Sequence, residues 1–287
     1  MNVAVIGAGT VGTAMAVLLE RAGHRIVGIS GRAETGRRAS SYLPGVPFLE
    51  PTAAAAQAEL VVIGTPDDVI EQTVEALVAA AAVGRGTSVT HLSGSLGLEV
   101  LTAAGEAGAG ILAIHPLQTF PDVDSAMEGL PGCAIAVTAD DDEGSLLGER
   151  LARDVQGVPF RVANDLRPLY HAAAVFASNY LVTASAIAES LFAAAGVPDP
   201  ARAMAPLQRA SLEHVERSGP AHALTGPAVR GDAGTIRRNL EALERSAPGL
   251  VSPYVAMARA ALDLAERSGR LPSGSRVAVE DVLDAWS

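Results

Sequence analysis

The sequence contains no lysine: its 21 basic side chains are all arginines, set against 32 acidic side chains for a formal net charge of −11. The absence of lysine excludes Schiff-base chemistry, a phosphate-loop lysine and the lysine acid that several dehydrogenase families use. Because the chain also lacks a basic block, its negative charge argues against nucleic acid or an anionic membrane as the main partner.

Cysteine and aromatic residues are scarce as well. The single cysteine, Cys133, excludes an internal disulfide and a multi-cysteine zinc site, and we expect a buried, inert thiol. Aromatic residues make up 3% of the chain and hydrophobic residues 49%, largely as alanine, valine and leucine. The acidic run at 140–143 is interpreted as a solvated helix start, so no metal site is expected.

Targeting and membrane-spanning segments are not expected. The first residues lead straight into a glycine turn, without a charged region or a cleavage site. The most apolar stretch, 172–195, contains Ser178, Asn179 and Glu189, which favours a buried helix over a membrane span. The expectation is a soluble, cytoplasmic protein.

A dinucleotide site is predicted at the start of the chain. An apolar strand at 2–6 runs directly into a G-x-G-x-x-G turn, which is followed by a helix at 10–22 and a second strand at 25–30. In this context the glycines allow the tight turn and the approach of a pyrophosphate to the helix N-terminus. The predicted cofactor-binding residues are Gly7, Ala8, Gly9, Thr10, Val11, Gly12, Ser30, Gly31, Arg32, Thr65 and Pro66.

The residues after the second strand favour NADP(H) over NAD. Enzymes that use NAD usually have an acid here for the ribose hydroxyls, whereas this chain reads Ser30-Gly31-Arg32. A guanidinium suits a 2′-phosphate, and Arg37 and Arg38 follow one turn later. The alternative for Arg37 and Arg38 is an ordinary solvated helix face.

The remaining pattern predicts an α/β fold with two domains. Strand candidates at 60–64, 87–92, 110–114, 133–138 and 158–162 alternate with helices, as in a doubly wound, Rossmann-type parallel sheet. From Asn164 onward only helical segments are visible. The predicted domains are therefore a dinucleotide-binding domain at 1–163 and an all-helical substrate and dimerisation domain at 164–287.

Candidate catalytic residues follow from the rule that ligands bind at the carboxyl ends of parallel strands. Two histidines end successive strands and His171 opens the long helix, so His171, with His115 as second choice, is the predicted proton donor. Asn179 is predicted to join them. The predicted substrate ligands are His91, Ser93, Ser178, Thr225, Arg230 and Asp232. The alternatives are satisfied structural histidines, a helix–helix hydrogen bond at 178–179 and a simple capping loop at 224–232.

Together these motifs resemble one family: Rossmann-like oxidoreductases whose C-terminal helical half was long catalogued as a domain of unknown function. The motifs are the 7–12 turn, His91-Leu92-Ser93-Gly94, His115-Pro116, Tyr170-His171 with Ser178-Asn179, and the 225–232 loop. Some members are an alternative type of NADPH-dependent ketopantoate reductase. More distantly, the layout is similar to pyrroline-5-carboxylate reductases, in which a loop like 225–235 joins the active site across a dimer interface.

The resemblance implies reduction of a small 2-oxo acid, with ketopantoate as the best candidate in pantothenate synthesis. Better-known ketopantoate reductases use a helix lysine with an asparagine four residues later, whereas this chain has His171 and Val175. Two alternatives remain: an imine or other carbonyl reductase on the same scaffold, and an NADP(H)-binding sensor without turnover. A homodimer through the alanine-rich helices is also expected.

Overall fold

The computed structural model describes residues 1–286. These form two compact units, Met1–Leu181 and the described residues from Val182 onward. All strands lie in the first unit, and the last of them ends at Arg161. The sequence-based domain boundary at 163/164 thus follows the end of the strands, whereas the compact units divide later, within a helix.

The first unit is built on one seven-stranded sheet in the order β2-β1-β3-β4-β5-β6-β7. Neighbouring strands run parallel except β5 and β6, which are antiparallel. The strands are β1 Asn2–Ile6, β2 Arg25–Ser30, β3 Leu60–Ile63, β4 Ser88–His91, β5 Gly110–Pro116, β6 Ala134–Ala139 and β7 Val158–Arg161.

Helices separate most of the strands and make up the rest of the chain. In the first unit they are α1 Thr10–Arg21, α2 Ala33–Tyr42, α3 Pro51–Ala55, α4 Ile70–Ala79, α5 Thr102–Glu106, α6 Val123–Gly129, α7 Asp142–Asp154 and α8 Arg167–Ala177. The boundary between units falls within α9 Asn179–Ala194. The second unit continues with α10 Pro200–Ser218, α11 Pro220–Ala223, α12 Pro227–Arg230, α13 Ala233–Ser246, α14 Val251–Arg267 and α15 Ser275–Asp284.

The predicted fold class is confirmed. The central strands β1 and β3 are apolar and buried along almost their whole length, as parallel strands covered on both faces should be. Two hydrophobic clusters cover the sheet, one around Met15 and Leu19 and the other around Ile63 and Leu77. Cys133 is buried in the first cluster, and burial raises the pKa of its thiol, in line with an inert role.

The long helix expected near residue 172 is interrupted and exposed. Ser178 has φ −123° and ψ −70°, which ends α8 and separates it from α9. The segment Asn164–Ala194 is long and apolar enough to cross a membrane by length and composition, although one such helix is weak evidence of a span. None of its most apolar window is buried, so the expectation of a helix buried within the chain is wrong.

The second unit has a small apolar core of its own. Ile236 and Leu240 of α13 pack against Leu262 of α14 and against Val279 and Leu283 of α15. These positions recur three or four residues apart, which is the pattern of a helix that buries one face.

Candidate active site

The glycine turn after β1 is held closely against the turn after β3. Gly7 has φ +85°, and a Cβ built there would lie 2.6 Å from the backbone nitrogen of Thr65. A Cβ on Gly12 would lie 2.8 Å from the Gly7 carbonyl oxygen. The N–H groups of Gly7 and Ala8 both donate to the Ser30 carbonyl at 2.9 Å. No side chain caps the N-terminus of α1, which begins after Gly9.

A cleft of about 650 Å³ opens beside this turn. The hydroxyl oxygen of Thr65 is buried and, within the described chain, has no hydrogen-bond partner. An unpaired buried hydroxyl and the free N–H groups of α1 are what a bound phosphate group would satisfy. The lining residues are Ile6, Gly7, Gly9, Ser30, Gly31, Arg32, Thr35, Phe48, Leu49, Glu50, Pro51, Gly64, Thr65, Pro66, Val69 and Thr73.

The predicted cofactor residues other than Ala8, which is fully buried, divide between this cleft and its neighbour. Arg32 is exposed and immediately precedes α2, while Thr10, Val11 and Gly12 line an adjoining cavity of about 240 Å³. That second cavity also reaches Asp67 and Ser93. Glu50, an acid in the larger cleft, was not predicted from the sequence.

Ser93 organises the turn after β4. Its hydroxyl donates to an Asp67 carboxylate oxygen at 2.7 Å and accepts from the Leu96 N–H at 3.2 Å. The Ser95 hydroxyl donates to the same Asp67 oxygen at 3.0 Å. Ser93 therefore stands beside the dinucleotide turn with its orientation fixed by Asp67.

His91 supports this turn from inside, which corrects the prediction that it binds substrate. Its side chain is fully buried. The Nε2 atom lies 2.9 Å from the Gly97 carbonyl, and Nδ1 accepts the Ser93 N–H at 3.2 Å. Burial lowers the pKa of His91 to about 4, so the ring is neutral and both of its nitrogens are occupied.

His115, Tyr170 and His171 meet above Gly94. His115 Nδ1 lies 2.8 Å from the Tyr170 hydroxyl oxygen, and the rings of His115 and His171 have centroids 6.4 Å apart. A Cβ added to Gly94 would lie 2.7 Å from His115 Nε2 and 2.8 Å from His171 Cδ2. The structure thus brings together both predicted donors and the turn that carries Ser93.

The environment of His115 keeps its ring uncharged near neutral pH. Burial, followed by the positive charge of Arg167 and then by His171, lowers the pKa of His115 to about 4. Burial raises the pKa of Tyr170 to about 12, so its hydroxyl keeps its proton. A protonated Tyr170 and a neutral His115 can share one hydrogen bond, in which the tautomer of the histidine decides the donor.

Arg167 lies beneath these groups and is completely buried. Its guanidinium donates to the carbonyl oxygens of Ser93 and Leu96, and Nη1 donates to the Thr138 hydroxyl at 3.0 Å. Within residues 1–286 no carboxylate accepts a hydrogen bond from this side chain, although the charges of Glu99 and Asp67 act on it. Burial lowers the pKa of Arg167, but an arginine keeps its charge in proteins.

Other predicted ligands lie away from this cluster along the chain. Ser178 ends α8 and Asn179 begins α9, so Asn179 and His171 do not lie on one continuous helix. In the second unit Asp232 caps α13: its carboxylate accepts from the Thr235 N–H at 2.9 Å and from the Thr235 hydroxyl at 2.7 Å. Asp232 therefore has the capping role that the sequence offered as an alternative, and its role in binding substrate stays a prediction. Thr225 and Arg230 are exposed on that unit.

Sequence reasoning missed Arg167, Tyr170 and Asp67 as site residues. Tyr170 adjoins His171, and Asp67 follows the predicted Thr65-Pro66 pair. Both residues are therefore sequence neighbours of predicted site residues. Arg167 stood directly before a proline at the start of a helix, where an exposed arginine would be equally acceptable. Nothing in one sequence indicates that this arginine is buried.

Two family models match the chain. Residues 1–116 match a Rossmann-like domain, and residues 133–261 match DUF2520, a domain of unknown function. The chain pairs a Rossmann-like domain with a DUF2520 domain. This pairing confirms the resemblance stated from the sequence motifs. No curated protein matches the chain.

Solved structures share the fold of the Rossmann–DUF2520 chain. The proposed NADP oxidoreductase BF3122 of Bacteroides fragilis has a TM-score of 0.75 at 22% identity, covering 91% of this chain and 98% of its own. Protein TM1727 of Thermotoga maritima has a TM-score of 0.73 at 22% identity, covering 93% and 100%. An imine reductase from Pseudomonas sp. has a TM-score of 0.65 at 18% identity, covering 98% and 99%. At these identities the likeness establishes the fold alone.

Proposed function

We propose that the chain is an NADP-dependent oxidoreductase that reduces the carbonyl group of a small 2-oxo acid. One observation carries the proposal: a neutral histidine, His115, paired with Tyr170 lies close to the turn that borders the dinucleotide cleft. The likeness to an NADP oxidoreductase and to imine reductases supports the same class of reaction. Ketopantoate is the leading candidate substrate, as the family resemblance implies.

The residues around the cleft fit a dinucleotide. Gly7 and Gly12 leave no space for side chains, the N-terminus of α1 offers free N–H groups, and the buried Thr65 hydroxyl lacks a partner in the described chain. Arg32 would bind the 2′-phosphate of NADP(H). When bound, NADPH supplies a hydride to the carbonyl carbon of the substrate.

The side chains supply the proton. With Tyr170 protonated and donating to Nδ1, the remaining ring proton of His115 is on Nε2, which faces Gly94. His115 would donate that proton to the substrate oxygen while Tyr170 returns one to Nδ1, and Tyr170 would then regain a proton from solvent. The hydrogen bond to Tyr170 leads us to prefer His115 over His171, which the sequence had favoured. Asn179, Ser93 and Ser178 remain proposed substrate ligands, as do Thr225 and Arg230 of the second unit.

Charge favours a ketone over an imine. A ketone gains negative charge on oxygen as it is reduced, which the positive charge of Arg167 stabilises. An imine must first become an iminium cation, and Arg167 would repel it. Because its pKa is about 4, His115 is neutral near pH 7 and holds no imidazolium proton for an imine.

The test is a substrate panel. Purified protein is mixed with NADPH and either ketopantoate, other small 2-oxo acids or cyclic imines, and the loss of absorbance at about 340 nm is followed. Turnover of 2-oxo acids is expected. Turnover of imines alone would contradict 2-oxo acid reduction and indicate an imine reductase. NADPH binding without any turnover would indicate a sensor.

Variants test the residue roles in the same assay. His115→Gln is expected to lower kcat about 100-fold or more and Tyr170→Phe about tenfold, because the first removes the donor and the second the group that supplies its proton. Equal activity of His115→Gln and wild type would contradict the role of His115. Arg32→Ala is expected to weaken NADPH binding at least about tenfold while leaving NADH binding unchanged.

We also propose a cytoplasmic homodimer formed through the helical unit. Val182, Leu207 and Leu212 are large apolar side chains that this unit leaves exposed. Sedimentation analysis should give twice the chain mass, and a monomer that stays monomeric at high concentration would contradict this.

A further inference from the structure

Arg167 combines complete burial with an unusual set of partners. Most buried arginines are paired with carboxylates, because an unpaired buried charge is expensive. Here the guanidinium donates instead to two main-chain carbonyls, of Ser93 and Leu96, and to the Thr138 hydroxyl. Each guanidinium nitrogen thus has an acceptor, but none of the three acceptors is a carboxylate, and Glu99 and Asp67 act on the charge without accepting a hydrogen bond from it.

The geometry points to Arg167 as a positioning residue: it ties the turn after β4 to the start of α8 and sets a fixed positive charge beneath His115. The two carbonyls that it binds, of Ser93 and Leu96, lie on either side of Gly94 and Ser95 in this turn. The same helix carries His171, which faces Gly94 of that turn, and Tyr170, which pairs with His115. One side chain therefore holds the helix that carries Tyr170 and His171 against the turn.

A second contact has the same effect on this turn. The Asn164 side-chain oxygen, one helical turn before Arg167, accepts the Leu98 N–H at 2.7 Å. The segment 93–98 is thus held along its length by residues that precede or begin α8. A lysine could not replace Arg167 fully, because its ammonium lacks the planar fork that binds separate oxygens in fixed directions.

The positive charge of Arg167 acts on the ring of His115. The titratable and charged groups that act on this ring are Tyr170, His171 and Arg167 from the start of α8, Asp67 from the turn after β3, and His91 from β4. Burial depresses the pKa of His115 most, and Arg167 is the next contribution. Removing the positive charge should let the pKa of His115 rise from about 4 toward its ordinary value of 6.5.

Three variants separate the two roles. Arg167→Met removes both the charge and the fork, Arg167→Lys keeps the charge but loses the fork, and Arg161→Met is the control. Arg161 lies six residues earlier and pairs at the surface with Glu149. Each variant is examined as the full chain, with ¹⁵N NMR of labelled histidine rings against pH and with kcat and KM on the best substrate of the panel.

In Arg167→Met we expect the His115 titration to move upward and kcat to fall about 100-fold. In Arg167→Lys we expect the wild-type titration but a kcat about tenfold lower. Arg161→Met should match wild type in both. The inference is supported if the His115 titration moves upward in Arg167→Met and kcat falls in Arg167→Lys.

Two results would overturn the inference: an unchanged His115 titration in Arg167→Met, or wild-type kcat in Arg167→Lys. If Arg167→Met does not fold, kcat of Arg167→Lys still tests the positioning role. A shifted His115 titration in Arg167→Lys, which keeps the positive charge, would contradict the charge role. The kinetic readout rests on the proposed function, whereas the NMR readout does not. A chain without turnover whose His115 still responds to Arg167→Met would refute the function and leave the electrostatic part intact.

Discussion

The two compact units differ in whether they bury polar side chains. In the first unit buried polar side chains such as Thr138, His91 and Arg167 form hydrogen bonds inside the protein. Among the described residues of the second unit, every buried side chain is apolar. Its charged contacts lie at or near the surface, for example Arg276 with Asp263 and Glu280.

This difference indicates where the chemistry resides. A buried polar network is costly unless every member is paired, so its presence at the ends of β3, β4 and β5 indicates a demand beyond stability. The second unit follows a simpler pattern in which helix faces pack apolar side chains. Substitutions should therefore be severe in the first unit and mild in the second.

The largest effect is expected at the glycine turn. Gly7→Ala should destabilise the protein by about 3 kcal/mol, because alanine is strained at positive φ and its Cβ would overlap the Thr65 backbone. Gly9→Ala is the matched control, since its Cβ would have no neighbour closer than 4.0 Å. Urea unfolding without cofactor measures both. Equal stability of the two variants would show that the turn can relax and would weaken the contrast between units.

A smaller effect is expected at Thr138. Its hydroxyl donates to the Val162 carbonyl at 2.7 Å and accepts from Arg167. Thr138→Val keeps the shape but leaves these partners unsatisfied, which should cost about 2 kcal/mol. Thr119→Val, at an exposed position, is the control for urea unfolding. A loss no larger than that of the control would mean that water replaces the hydroxyl and that the network is less demanding than its burial implies.

The smallest effect is expected in the second unit, at the cap of α13. Asp232→Ala should lower the melting temperature by about 4 °C, because the Thr235 N–H loses its acceptor. Hydrogen bonds from Thr235 hold the pKa of Asp232 below its ordinary value of 3.8. A depressed pKa stabilises the fold at pH values above 3.8, and this contribution disappears as the pH falls through the folded-state pKa.

The difference between wild type and Asp232→Ala should therefore be constant near neutral pH and shrink in acid. Melting curves recorded from about pH 7 downward give the comparison. A difference that persists undiminished in strong acid would mean that the carboxylate charge is not what stabilises the cap.

Sequence patterns predicted most of the fold because strands and turns carry local signals. The strands at 2–6 and 25–30 match the structure, and β5 differs only in extending through His115 and Pro116. The break at Ser178 escaped prediction because the stretch around it is rich in alanine and contains no glycine or proline, which favours a continuous helix. The histidines were found from their positions at strand ends, whereas the buried state of Arg167 depends on contacts with residues 93 and 96, far away in the sequence.

The lack of lysine and the burial of Cys133 together make the folded chain nearly inert to reagents that label amines and thiols. Cys133 immediately precedes β6 and lies inside the main hydrophobic cluster. A reagent therefore reaches its sulfur when that part of the sheet opens. The rate at which a thiol reagent modifies this chain thus reports opening of the Rossmann unit directly. Because the chain has no second cysteine, the readout needs no engineering and can be followed with and without NADPH.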